Sequence, residues 1–164
     1  MNVLEFTTMA MNILAPGLDH SVMSQAMTTV IESEPPIFHD DSYKLRTASL
    51  IVAVAYREGT FGLSVIGDCD NSKPGECKGK PHSFCTMQIN EVMGGGPQLN
   101  EDPVSCIRLG HRLLRMSAKS CPSSPVAWYA SGPQGCGNNR AQKISKDRMN
   151  LAHWVWTKRE KEVN

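Results

Sequence analysis

The sequence predicts a mainly α domain with a small irregular β or loop element, and three observations point there. The run Tyr43 to Glu58 is apolar at helical spacing, with Leu45, Ala48, Val52 and Ala55 on one stripe and further apolar residues around it. Two later segments, Asp102-Pro103 and Ser124-Pro125, pair a short polar side chain with a proline suited to the first turn of a helix. Strand signals are few, and the stretch open to a small β element lies between Phe61 and Thr86.

Met1 to Leu14 has mixed helical character and ends at the turn signal Ala15-Pro16-Gly17. Ser21 to Glu34 reads as a second helix, closed by Pro35-Pro36. Asp40-Asp41-Ser42 offers N-cap oxygens to the helix Tyr43 to Glu58, which is apolar on nearly all sides, belongs in the core and carries Glu58 to its edge. Gly67 to Pro81, rich in Gly, Lys, Asp and Asn, is a loop or irregular hairpin, and Met93 to Pro97 is a glycine-rich turn. Asp102 opens a helix running to about Met116, with Val104, Ile107, His111 and Leu114 on one face. A short helix, Val126 to Ala130, follows Ser124-Pro125. The last helix, Asn139 to Trp156, sets Ile144, Arg148, Leu151 and Val155 at helical spacing, and Lys158 to Lys161 is a solvated tail.

A chain of 164 residues is one domain, able to bury a single core. Its net charge of +1 lacks the basic excess of a nucleic-acid binder, so no nucleic-acid partner is expected. The longest apolar run, Ala48 to Ala55, falls far short of the ~20 residues that span a bilayer. Six cysteines with no Cys-x-x-Cys pair favour disulfides in an oxidising compartment over a zinc site, with buried free thiols as the alternative. The preferred pairing is Cys69 with Cys77, Cys85 with Cys106 and Cys121 with Cys136, because two of these close short loops that lack a core. Met1 to Pro16 has no basic region and no small-residue cleavage site, so it does not read as an intact signal peptide, and a secreted or periplasmic location rests on the cysteines alone.

Glu58 stands where the chain leaves an apolar helix, and a charge placed there is either paired or used. Two later segments bear on the choice: Ser83-Phe84-Cys85-Thr86-Met87-Gln88-Ile89-Asn90 and Trp128-Tyr129-Ala130-Ser131-Gly132-Pro133. With Glu58-Gly59-Thr60-Phe61, their order and spacing resemble the lysozyme-like superfamily, in particular the soluble lytic transglycosylases and goose-type lysozymes. The second segment keeps Met87-Gln88 of the family's Gly-Leu-Met-Gln pattern, and the third keeps Tyr129, Gly132 and Pro133. The likeness spans about Leu45 to Leu151. It implies an α+β lysozyme-like fold within a single domain 1–164, with 1–40 as an N-terminal helical extension, 41–157 as the catalytic core, and the β or loop element beside the cleft.

The resemblance implies an enzyme acting on peptidoglycan glycan strands or muropeptides at the β-1,4 bond between N-acetylmuramic acid and N-acetylglucosamine, as a monomer and without cofactor or metal. Glu58 is the expected general acid, with Tyr56 and Phe61 as the apolar surroundings that would raise its pKa. A lytic transglycosylase lets the muramyl 6-hydroxyl attack and leaves a 1,6-anhydro end, whereas an inverting hydrolase needs a second carboxylate to activate water. Gly67-Asp68 matches the first of two aspartates in the goose-type pattern, and Asn90 stands in place of the second, so transglycosylation is favoured and Asp68 is the candidate water-positioning group. A solvated loop aspartate is the alternative. A glycan-binding module without turnover is a reading from another class.

The family's Met-Gln segment lines sugar subsites, which assigns Met87 an apolar wall and Gln88 amide hydrogen bonds. Alternation alone would put Met87 and Ile89 in the core and Gln88 toward solvent. Cys85 occupies the family's glycine position, which suits it only if φ there is negative or a disulfide replaces the glycine's packing. Tyr129 matches the tyrosine whose hydroxyl approaches the catalytic carboxyl, against the alternative of a core tyrosine, and Ser83 is a candidate for an N-acetyl contact. His20, His39, His82, His111 and His153 lie at no metal-ligand spacing. Trp154 and Trp156 are packing residues or an exposed aromatic edge.

Overall fold

The computed structural model describes residues 1–70 and 76–162, side chains included up to Arg159. It is mainly helical with one small sheet: α1 Val3–Leu14, α2 Ser21–Ser33, α3 Tyr43–Gly59, β1 Ile66–Gly67, β2 Ser83–Phe84, β3 Ile89–Asn90, α4 Pro103–Ser120, α5 Ala127–Ser131 and α6 Asn139–Glu162. Short 3-10 turns follow at Glu91–Met93, Pro97–Asn100 and Gly132–Gly137.

The buried helix is α3. Its residues Leu50 to Ala55 are all fully buried, and α1, α2, α4 and α6 pack around it. The first forty residues, expected as an extension, are part of this core: Phe6 and Met11 from α1 and Met27 and Val30 from α2 join the cluster around α3. α1 starts in a capping box, in which Asn2 Oδ1 accepts from the Glu5 amide at 2.9 Å and Glu5 Oε2 accepts from the Asn2 amide at 2.9 Å. At α3 the expected cap is displaced. Ser42 makes no side-chain cap; Asp40 accepts from the Ser42 amide at 3.0 Å with its carboxylate and from the Tyr43 amide at 2.9 Å with its carbonyl.

Asp102 caps α4 as expected, accepting from the Ser105 amide at 3.0 Å with Pro103 in the first turn. Ser124 does not repeat the device at α5, which opens at Val126 without a side-chain cap. The Val126 amide donates instead to Ser145 Oγ of α6 at 2.9 Å, a tertiary contact that sequence spacing does not encode. At the far end, Lys158 to Lys161, expected as a solvated tail, is helical, because α6 continues to Glu162. Lys158 lies over Trp154 at 4.8 Å and Arg159 over Trp156 at 3.7 Å, so cations one helical turn on hold the indoles.

The sheet is antiparallel in the order β1-β2-β3, with Gly67 opposite Ser83 and Ser83 opposite Asn90. Its third strand lies beyond the stretch expected to hold β structure. The turn 85–88 between β2 and β3 has positive φ at Cys85 and Gln88, +59° and +48°. Cys85 therefore adopts a left-handed conformation, and it is held there by its disulfide to Cys106 of α4 and by its amide, which donates to Asn100 Oδ1 at 2.8 Å. Gly59, next to Glu58, lets this turn dock: a Cβ there would meet the Thr86 backbone at 2.7 Å. The other bridges are Cys69–Cys77 and Cys121–Cys136, so all six cysteines pair as expected. Residues 71–75, part of the loop expected over Gly67 to Pro81, lie outside the described residues.

His111 of α4 is fully buried, and neither ring nitrogen has a hydrogen-bond partner among the described residues. Burial pushes its imidazole down to about 4, with the Glu34 charge opposing and those of Arg115 and Arg112 assisting. The unfolded chain takes up this proton near pH 6.5 and the folded one only near 4, so the stability it contributes is complete above pH 6.5 and lost as pH falls. Between pH 6.5 and about pH 5 the expected loss is about 2 kcal/mol, read by urea unfolding at each pH. His111→Leu should flatten that slope; an unchanged slope would assign the acid sensitivity to other groups.

Candidate functional site

One groove of about 610 Å³ receives side chains from the C-terminal end of α3, the sheet, α5 and α6. Glu58, Asp68, Ser83, Gln88 and Tyr129 all line it, although they come from separate segments of the chain. Asn90 and Pro133 line it too.

Met87 does not. Its side chain is fully buried, packed against Gly110 of α4 so closely that a Cβ there would meet its Cε at 2.6 Å. Met87 and Gln88 belong to the 85–88 turn and not to a strand: Met87 and the nearby Ile89 lie in the core, while Gln88, at φ +48°, lines the groove. Met87 contributes its backbone instead, because the Tyr129 hydroxyl donates to the Met87 carbonyl. That bond corrects the expected one from Tyr129 to Glu58. It pins α5 to the 85–88 turn, helped by the Tyr129 amide, which donates to Ser117 Oγ at 3.0 Å. Burial pushes the Tyr129 phenol well above its usual range, and the nearby Glu58 charge adds to the shift, so Tyr129 remains a neutral donor.

The surroundings of Glu58 also differ from expectation. Phe61, at φ +63°, turns into the core against His20 and Tyr56, with ring centroids 5.5 and 5.6 Å apart, and neither Phe61 nor Tyr56 lines the groove. Instead of an apolar wall, Glu58 meets Arg148 of α6. Glu58 Oε1 accepts from Arg148 Nη2 at 2.8 Å and from Nε at 3.3 Å, with side chains 25 and 15 % exposed. Arg148 Nη1 donates to Asp147 at 2.7 Å, and Arg57 Nη2 reaches the other Asp147 oxygen at 3.1 Å. Burial lowers the Arg148 pKa, but the bonds to Glu58 and Asp147 outweigh it, and the guanidinium is held above its usual range. In the sequence Arg148 stands on the apolar stripe of α6 with no role marked for it. A cation between Ile144, Leu151 and Val155 was itself the signal, since a charge on a buried stripe needs a partner.

Asp68, at φ +49°, accepts a hydrogen bond from the fully buried Ser83 hydroxyl. Ser83 thus orients Asp68 and commits its hydroxyl proton there, which leaves it only as an acceptor for the N-acetyl contact expected of it. The Asn90 side chain accepts from the Val92 amide at 3.1 Å, closing the turn after β3. His82 bridges Asp70 and Glu91 at 2.9 and 2.8 Å and ties the segment after Asp68 to the end of the sheet. Its pKa is raised, first by the bond to Asp70 and then by that to Glu91.

The groove therefore brings together the carboxylates of Glu58 and Asp68, the Gln88 amide, the Tyr129 phenol and the guanidinium groups of Arg140 and Arg148. Such an arrangement suits a ligand with many hydroxyl and amide groups. No family model, curated protein or solved structure matches the chain.

Proposed function

We infer that the protein cleaves peptidoglycan glycan strands at the β-1,4 bond between N-acetylmuramic acid and N-acetylglucosamine, acting as a lytic transglycosylase. The observation that carries this reading is the convergence of Glu58, Asp68, Gln88 and Tyr129 on one groove. Glu58, Gln88 and Tyr129 come from the three segments whose order resembles that superfamily, and Asp68 from the Gly67-Asp68 step between the first two. Glu58 donates a proton to the departing 4-oxygen of N-acetylglucosamine. It then takes the proton of the muramyl 6-hydroxyl as that oxygen bonds to C1, so the ring closes to a 1,6-anhydro end and no water is consumed. Three disulfides fit action in an oxidising, extracytoplasmic compartment, and no helix among the described residues is long and apolar enough to cross a membrane.

One observation favours a second reading, an inverting hydrolase: Asp68 lines the same groove and is oriented by Ser83. Asp68→Asn separates the two with little disturbance, since asparagine tolerates positive φ and still accepts from Ser83. Clearance of a cell-wall suspension by the variant is expected within about threefold of wild type for a transglycosylase. A hydrolase that needs Asp68 to activate water should lose about a hundredfold or more.

A further inference from the structure

The charge of this protein is unevenly placed. The whole chain carries +1, yet residues 139–148 hold four cations, Arg140, Lys143, Lys146 and Arg148, against the single acid Asp147. Two of the four face the groove. Arg140, Ile144 and Arg148 succeed one another at helical spacing along the groove wall, with Glu58 and Asp68 contributing to the same cavity from other elements. The groove thus carries both signs of charge, with acids from α3 and from the residue after β1 and arginines from α6.

The two arginines are not equivalent. Arg148 is occupied by Glu58 and Asp147. Arg140, roughly 12 Å away along the helix, is exposed and has no ion pair or hydrogen bond from its guanidinium among the described residues. Its position also works against the helix. Arg140 is the second residue of α6, where the positive end of the macrodipole disfavours a cation, and no acidic residue occupies that first turn. The turn is held by other means, the Asn138 side chain accepting from the Ala141 amide at 3.0 Å. A guanidinium that stabilises neither an ion pair nor its helix, yet stands on the wall of a groove, is placed for a ligand.

We propose that Arg140 is a specificity-determining residue that binds a carboxylate carried by the glycan strand, so that the groove takes strands still bearing their stem peptides in preference to bare strands. This rests on the reading of the groove as a peptidoglycan site and adds to it the substrate class. The sugar backbone lies over Glu58, and the anionic peptide substituent points toward α6. A planar guanidinium offers paired donors that match a carboxylate, which lysine reproduces only as a point charge.

The test compares one preparation of glycan strands with and without stem peptides, the latter stripped by an amidase. Wild type should cleave the peptide-bearing strands with about tenfold higher kcat/KM. Arg140→Gln should bring that ratio to about one through KM, and Arg140→Lys should retain part of it. Thermal stability of Arg140→Gln should be unchanged or higher, whereas a structural arginine would lower it. Binding of both strands to Glu58→Gln completes the set. Equal cleavage of the two strands by wild type, or a ratio unmoved in Arg140→Gln, overturns the role of Arg140 and leaves the cleavage reading standing. Preferential binding without cleavage by wild type overturns the enzymatic reading and supports the role of Arg140. Neither binding nor cleavage overturns both.

Discussion

Glu58→Gln is expected to lower strand cleavage by about a thousandfold while leaving the fold intact. Glutamine keeps the length of the side chain and an oxygen that accepts from Arg148, so the contact between α3 and α6 survives in neutral form. The ion pair is partly exposed at both ends, and its loss should cost about 1 kcal/mol of stability. A loss of activity of this size with a melting temperature within a few degrees of wild type would locate the proton transfer at Glu58. Cleavage within about threefold of wild type would remove Glu58 from the chemistry.

The second large effect concerns stability. Cys85–Cys106 closes the longest loop of the three disulfides, with a sequence separation of 21 against 15 and 8, and both of its cysteines are buried in the main core. Replacing both by alanine should cost about 3 kcal/mol in urea unfolding, more than removal of Cys69–Cys77. The functional consequence follows from position. The bridge holds the turn whose Gln88 lines the groove and whose Met87 carbonyl receives Tyr129, so the variant should also cleave more slowly under conditions where it remains folded. A smaller loss than that from removing Cys69–Cys77 would contradict this account of the turn.

The long elements are legible in the sequence because their signals are local. The apolar stripe of α3, the Asp102-Pro103 opening of α4 and the helical spacing in α6 are each contained within one element. The Asn2 to Glu5 capping box was equally local and readable as an Asn-x-x-Glu pattern. The strands were not, because at two residues each they are too short to show alternation. Glu58, Asp68, Gln88 and Tyr129, which line one groove, each belong to a segment legible in the sequence. The contacts between segments were out of reach: Tyr129 bonds to a backbone carbonyl, which any residue provides, and Ser83 turns to Asp68 because the register sets it opposite Gly67. Arg148 is the instructive case, since its pairing with Glu58 replaces the apolar environment inferred from Tyr56 and Phe61, neighbours in sequence that face elsewhere.

Ion pairing of the proposed acid has a mechanistic consequence. A carboxyl that donates a proton must carry one, so the Arg148 contact has to lengthen or be replaced as the strand binds. Oε1 is engaged by Arg148, while Oε2 has no hydrogen-bond partner among the described residues. The arrangement fits a site that fixes the plane of the carboxyl and leaves one oxygen for the glycosidic bond.

The central claim is tested most directly by mass spectrometry of the fragments released from purified peptidoglycan by the disulfide-intact protein. Fragments ending in 1,6-anhydro-N-acetylmuramic acid are expected, each one water lighter than the corresponding reducing-end product. Reducing muramyl ends would replace transglycosylation by hydrolysis, and cuts confined to the peptide stems, or no release of fragments at all, would contradict glycan cleavage at this groove.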